Sequence, residues 1–176
     1  MTLLFPLLQP ADAEERDRRI MELALKEARA AGGRGEVPVG ALVVRDGRIL
    51  GRAGNSVEQQ CDATAHAEML ALTQACAAAG EKRLEGAEIF CTLEPCLQCT
   101  GALLHARVTR LVYGAADPKF GGIVSLARLL ELPGLNHRVE ARGGVLAAES
   151  AALLQDFFRT LRQGGSGALP GSSAGG

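Results

Sequence analysis

The stretch Thr92-Leu93-Glu94-Pro95-Cys96-Leu97-Gln98-Cys99-Thr100-Gly101-Ala102 decides how this chain is read. It sets two thiols three residues apart, directly behind a proline. Proline suits the first helical position because the N–H it lacks has no intrahelical partner there. Cysteines at i and i+3 then share a face of the first turn, where the macrodipole and any cation favour thiolate over thiol. In front of this stretch, Ala87-Glu88-Ile89-Phe90-Cys91-Thr92 alternates as a strand does. Pro95 to His105 suits a helix, and Val108 to Tyr113 is again β-rich. Strand, helix and strand in that order are a building block of an α/β sheet. Two sulfurs seldom hold a metal alone, so further ligands must come from elsewhere.

Working outward, Asp12 and Glu15 have the spacing of a capping box. Ile20, Leu23, Ala24, Ala28 and Ala31 then follow helical spacing up to Gly32-Gly33. Glu36-Val37-Pro38-Val39-Gly40 leads into Ala41-Leu42-Val43-Val44, then Asp46-Gly47, then Ile49-Leu50, which predicts a β-hairpin with a two-residue turn. Gly51 to Cys61 is polar and turn-rich, and the alanine-rich segment Thr64 to Ala79 predicts a helix starting near His66. Downstream, a loop over Gly114 to Gly122 holds Asp117-Pro118-Lys119-Phe120. Ser125 caps a short helix ending at Leu132, before Pro133-Gly134. A short strand over Asn136 to Ala141 and a last helix over Ala147 to Leu161 complete the expected elements. A hairpin followed by alternating helices and strands predicts a three-layer α/β/α sandwich with a mixed five-stranded sheet. Ligands in such sheets sit at the carboxyl ends of strands, and His66 and Cys96 both begin helices there.

At 176 residues the chain suits one domain, expected over 12–162, with an N-terminal arm over 1–11 and a Gly/Ser-rich disordered tail over 163–176. The formal net charge of −1 gives no global basic field, so a nucleic-acid partner has to be gripped by a local patch and specific pockets. No apolar run is long enough to span a bilayer. Met1 to Leu8 lacks the basic region and cleavage site of a signal peptide. Five cysteines, an odd number at low density, fit a reducing cytoplasm and favour metal binding or catalysis over disulfides.

His66-Ala67-Glu68 and Pro95-Cys96-Leu97-Gln98-Cys99 together match the H-x-E … P-C-x-x-C signature of zinc deaminases. His66, Cys96 and Cys99 fill three zinc positions and leave the fourth to water, which distinguishes a catalytic site from a closed structural one. Zinc brings hydroxide within reach of neutral pH. Glu68, outside the coordination sphere, takes the proton of the water, delivers it to a ring nitrogen of the base and helps ammonia leave. Residues two apart on a helix diverge by about 200°, so His66 must lie at the helix start, with Asp62 or Thr64 available to cap the turn. Cys76 and Cys91 read as buried small hydrophobes, and His105 as a helix C-terminal residue. Cys61 stays open, since on the loop to His66 it would close the site as a fourth ligand.

On these residues the chain resembles the cytidine deaminase-like superfamily, above all its bacterial tRNA-editing branch, over roughly Glu14 to Arg162. Further matching segments are Glu36-Val37-Pro38-Val39-Gly40, Asn55, Thr64-Ala65-His66-Ala67-Glu68, Tyr113-Gly114-Ala115, Asp117-Pro118-Lys119 and Asn136-His137-Arg138-Val139-Glu140. The resemblance implies hydrolytic conversion of adenosine to inosine at the wobble position of a tRNA anticodon stem-loop, by a cytoplasmic homodimer with one Zn2+ per subunit. It implies that Asn55 hydrogen-bonds the target base, that Ala67 lies in the substrate pocket, and that Asp117, Lys119, Phe157, Phe158 and Arg159 fall in RNA-contacting regions. Phe157 and Phe158 also have the helical spacing of core residues. Ala63, where a proline is usual, Gln98, where methionine is common, and the absence of basic residues from Ser56 to Cys61 depart from the pattern. The same zinc and glutamate would also serve deamination of free guanine, cytosine or cytidine. A non-catalytic RNA-binding protein with structural zinc is the alternative of another class.

Overall fold

The computed structural model describes residues 12–164; the expected arm and most of the expected tail lie outside them. Helix α1 (Ala13–Gly33) is capped by Asp12, whose carboxylate accepts the Glu14 N–H at 3.0 Å. Glu15 pairs with Arg19 instead of closing a capping box. Strands β1 (Gly40–Arg45) and β2 (Arg48–Gly54) form the expected hairpin. Asp46 and Gly47 both take positive φ, 52° and 70°, as its two-residue turn requires. Strand β2 runs past Leu50 to Gly54 because glycine at 51 lets it lie against a helix: a Cβ there would come 2.2 Å from the Ala71 carbonyl oxygen. A single turn α2 (Val57–Gln60), α3 (Ala67–Ala79), β3 (Glu88–Leu93), α4 (Leu97–Ala106), β4 (Arg110–Ala115), β5 (Glu140–Arg142) and α5 (Ala147–Gly164) follow.

The five strands form one mixed sheet in the order β2-β1-β3-β4-β5. Strand β1 is antiparallel to both neighbours, and β3, β4 and β5 are parallel. The carboxyl ends of β2, β3 and β4 therefore share one edge. Alternate side chains of β1, β3 and β4 feed two cores, as strand geometry dictates. Val43, Ile89, Cys91 and Leu111 pack with Ala67, Ala71, Leu72 and Leu103 of α3 and α4. Leu42, Phe90 and Val112 pack with Ile20, Met21 and Ala24 of α1, and α5 lies on this same face, its Ser150 against Gly114. The result is the three-layer α/β/α sandwich.

Three expected elements differ. The helix expected from Ser125 is absent apart from a 3-10 turn at Leu129–Glu131, because the Ser125 N–H and hydroxyl are both spent on Glu94. The strand expected over Asn136 to Ala141 is shortened and shifted to β5 at Glu140–Arg142, an edge strand paired only with β4. Helix α4 starts after Cys96, so Pro95 precedes the cap. The Pro95 carbonyl accepts the Gly122 N–H at 2.8 Å, and Cys96, extended, bridges Gly121, which holds both residues outside the helix.

Opposite the shared edge, an ionic cluster clips α1 to the sheet. Asp17, fully buried, accepts from Arg110 at 2.6 Å and Arg142 at 3.0 Å, and Glu88 accepts from Arg16 and Arg110. Burial alone would raise the Glu88 pKa, but these two guanidinium groups outweigh it and hold the carboxyl below its usual 4.5. A depressed carboxyl contributes stability that is complete above the unfolded pKa and is lost as pH falls through the folded one. Glu88→Gln is therefore expected to cost about 1–2 kcal/mol at pH 7, with the difference from wild type shrinking below pH ~4. Urea unfolding at pH 7 and pH 3 checks this; an undiminished difference at pH 3 would contradict it.

Candidate active site

Three connections at the shared edge bring together the residues expected at the site. Asn55 follows β2, Cys96 follows β3 and Asp117 follows β4, while the 56–66 loop delivers His66. His66 is the N-cap of α3, at φ −69° and ψ 152°, and Cys96 is the N-cap of α4, at φ −70° and ψ 176°. Both are extended, so each side chain leaves the helix axis and points across the gap between the helices. This resolves the spacing of His66 and Glu68, which a continuous helix would have driven apart. Asp62 does not cap α3; its Oδ1 closes a local turn with the Thr64 N–H and hydroxyl at 2.8 and 2.7 Å.

The Sγ atoms of Cys96 and Cys99 each lie 3.5 Å from His66 Nδ1. Tetrahedral zinc with ordinary Zn–S and Zn–N bonds would set that separation near ~3.6 Å, so the donor set fits the ion. Among the described residues this is the one cluster of three or more potential metal donors. Cys99 is buried while His66 and Cys96 are half-buried, which leaves the cluster open on one side. Cys61 takes no part: it is exposed at a left-handed turn, with its thiol on the Glu58 carbonyl. Cys91 is buried in the core and Cys76 packs against it.

Electrostatics within the cluster favour a cation. The Cys99 thiol and the His66 imidazole hold the Cys96 thiol down to about 4, against the cost of burial. Cys99, donating to that thiolate and buried, is pushed far up, and the Cys96 thiolate raises the imidazole. A metal ion would replace the shared proton. Glu68, one residue beyond the fully buried Ala67, is itself 4% exposed. Burial raises its carboxyl, partly offset by its own backbone N–H and by His66.

Two buried carboxylates frame the site, neither of them among the residues expected there. Glu94 is 1% exposed and accepts from the backbone N–H groups of Asp117, Ile123, Val124 and Ser125 at 2.8–3.1 Å and from the Ser125 hydroxyl. Burial would raise its pKa, but these donors, led by Ser125, bring it below the ordinary value. A Cβ on Gly121 would fall 2.4 Å from this carboxyl carbon, so the 117–125 loop needs glycine to close around it. Glu36, also 1% exposed, accepts from Asn55 Nδ2 at 3.1 Å and from the N–H groups of Glu58 and Gln59. The available signal was a carboxylate set among apolar residues, Leu93-Glu94-Pro95 and Glu36-Val37-Pro38. Gln98 also gains a function, its amide donating to the Thr64 carbonyl at 3.2 Å and tying the two ligand-bearing segments together.

Asn55 is nearly buried at this edge, and the Ser56 N–H bonds to Ala65 O at 3.1 Å, next to His66. Asp117 and the exposed Lys119 lie on the loop that Glu94 holds, with Asp117 Oδ1 accepting the Lys119 N–H. Phe157 and Arg159 are not brought to the cluster. They lie on α5, which rests on β4, β3 and α1, the face away from α3 and α4. Phe157 meets Phe158 edge-to-face at 5.4 Å, and Arg159 pairs with Asp156 in solvent. Neither phenylalanine is core; Leu154 is the residue of this turn that packs inward.

Fold and donor set are those of the zinc deaminases, and the family model described as MafB19-like deaminase matches residues 15–162. The tRNA-specific adenosine deaminase of Agrobacterium fabrum is 48% identical over 142 residues, covering 81% of this chain and 93% of the relative. The chain belongs to the family of tRNA-specific adenosine deaminases. A solved structure from work on A-to-I editing by tRNA:A34 deaminases superposes with a TM-score of 0.75 at 47% identity, over 77% of this chain and 99% of the other. A guanine deaminase from Nitrosomonas europaea, 24% identical with a TM-score of 0.71 over 89% of this chain and 87% of its own, shares the fold.

Proposed function

We infer that this protein converts adenosine to inosine at the wobble position of a tRNA anticodon, as a cytoplasmic homodimer with one zinc ion per subunit. The observation that carries the reading is the open His66, Cys96 and Cys99 cluster with buried Glu68 beside it, in a chain of this family. His66, Cys96 and Cys99 would hold zinc, which would supply a water acidic enough to attack at neutral pH. Glu68 would take the proton of the attacking water and hold it for N1 of the purine as water adds at C6. It then carries the second proton to the 6-amino group, so that the C6–N bond breaks and ammonia leaves. Adenosine and water are consumed; inosine and ammonia are formed.

Asn55 offers a donor and an acceptor to the edge of the base, which enters the pocket out of its stack. Asp117 and Lys119 form the rim that meets the flanking RNA. Phe157 and Arg159, on α5, would meet RNA only beyond the pocket. With a net charge of −1, binding relies on such local contacts. Among the described residues no helix is long and apolar enough to cross a membrane.

The test is ammonia release and inosine mapping with zinc-loaded protein. An anticodon stem-loop with adenosine at the wobble position is compared with free adenosine, guanine and cytidine. Inosine at that one position, with no turnover of the free compounds, is expected; turnover of a free compound alone would reject the tRNA reading.

A further inference from the structure

The Glu36-Val37-Pro38-Val39-Gly40 segment is not needed for metal binding, yet its carboxylate is buried at the same edge of the sheet. Glu36 follows α1, its own N–H bonded to Ala31 O at 3.1 Å. Its Oε2 takes Asn55 Nδ2 at 3.1 Å and the Glu58 N–H at 3.3 Å; its Oε1 takes the Gln59 N–H at 2.8 Å. All three partners are donors. An ionised carboxylate can only accept, so the amide of Asn55 must turn its nitrogen to Glu36. That removes the ambiguity between the two ends of an amide: one N–H is committed, and Oδ1 and the second N–H remain for another partner.

We propose that Glu36 is a positioning residue for base recognition: by holding Asn55 Nδ2, it fixes which atoms of that amide meet the target base. This rests on the tRNA adenosine deaminase reading and extends it to a residue outside the pocket. Asn55 is anchored for the task, its N–H on Val39 O at 2.9 Å and the Ser56 N–H on Ala65 O, so the side-chain amide is the remaining freedom. A glutamine at 36 could accept from Asn55 or donate to it, and the amide would then be free to present either polarity to the base.

Glu36 also holds the turn at Glu58 and Gln59, so the experiment must separate positioning from scaffolding. A double-mutant cycle does this. Wild type, Glu36→Gln, Asn55→Ala and the double variant are compared for kcat/KM on the anticodon stem-loop, with zinc content and thermal unfolding measured for each. Glu36→Gln is expected to lower kcat/KM at least tenfold in the wild-type background, with zinc retained, and less than twofold when Asn55 is already alanine. Equal losses in both backgrounds, or zinc lost in step with activity, would overturn the proposal. Glu36→Asp keeps the charge but withdraws the carboxylate by one methylene, and it serves for the same cycle if Glu36→Gln does not fold. An inactive wild type would overturn the parent reading and this one with it; equal losses in an active enzyme overturn this one alone.

Discussion

Alanine at Glu68 is expected to leave one zinc per chain in place and to lower the deamination rate by about 10² to 10⁴, the usual weight of a positioned acid/base. The separation of the two effects is the informative part. Glu68 lies on the first turn of α3, while the ligand atoms come from His66 and from the start of α4. Removing a carboxylate that does not coordinate should spare the metal. On the proposed mechanism, its loss removes the group that takes the proton of the attacking water and delivers it to the purine nitrogen. Metal analysis together with single-turnover assays on the stem-loop checks both halves; zinc loss in Glu68→Ala would make it a ligand and refute the assigned role.

Cys96→Ala should behave in the opposite way, losing the metal first and activity as a consequence. Two ligands cannot hold zinc as three do, and an ion that binds only the folded chain stabilises it by mass action. At a zinc concentration one hundred times the wild-type Kd, about 2.7 kcal/mol of that stability disappears, a fall of roughly 5–10 °C in Tm for a chain of this size. After chelation the two proteins should unfold at closely similar temperatures. A difference that survives chelation would mean that Cys96 stabilises the chain by packing, not through the ion.

The legible part of this protein is the part written in local chemistry. Asp46-Gly47 announces its turn because few residues adopt two successive positive φ values, and His66-Ala67-Glu68 with Cys96 and Cys99 are read from spacing alone. The illegible part depends on distant partners. Ser125 has the chemistry of a helix cap and loses that use only because Glu94, thirty-one residues earlier, claims its hydroxyl and N–H. Pro95 suits a first helical turn, but its carbonyl on Gly122 and the bridge from Cys96 to Gly121 hold it ahead of the helix. Phe157 and Phe158 have core spacing, yet their helix is the last layer of the sandwich, and with Leu154 turned inward they are left at its surface. Glu36 and Glu94 were invisible as organisers because a buried carboxylate declares its role only through the donors that gather round it.

The loop gathered on Glu94 has a wider consequence. Its shape is enforced from inside, by backbone N–H groups that every residue except proline possesses, while Lys119 and Phe120 project outward and contribute nothing to that scaffold but their backbone. Form and surface chemistry are thus inherited separately. Substitutions at the outward positions can therefore change the charge and shape of this rim without disturbing the curve of the chain, because none of the donors that hold it belongs to those side chains.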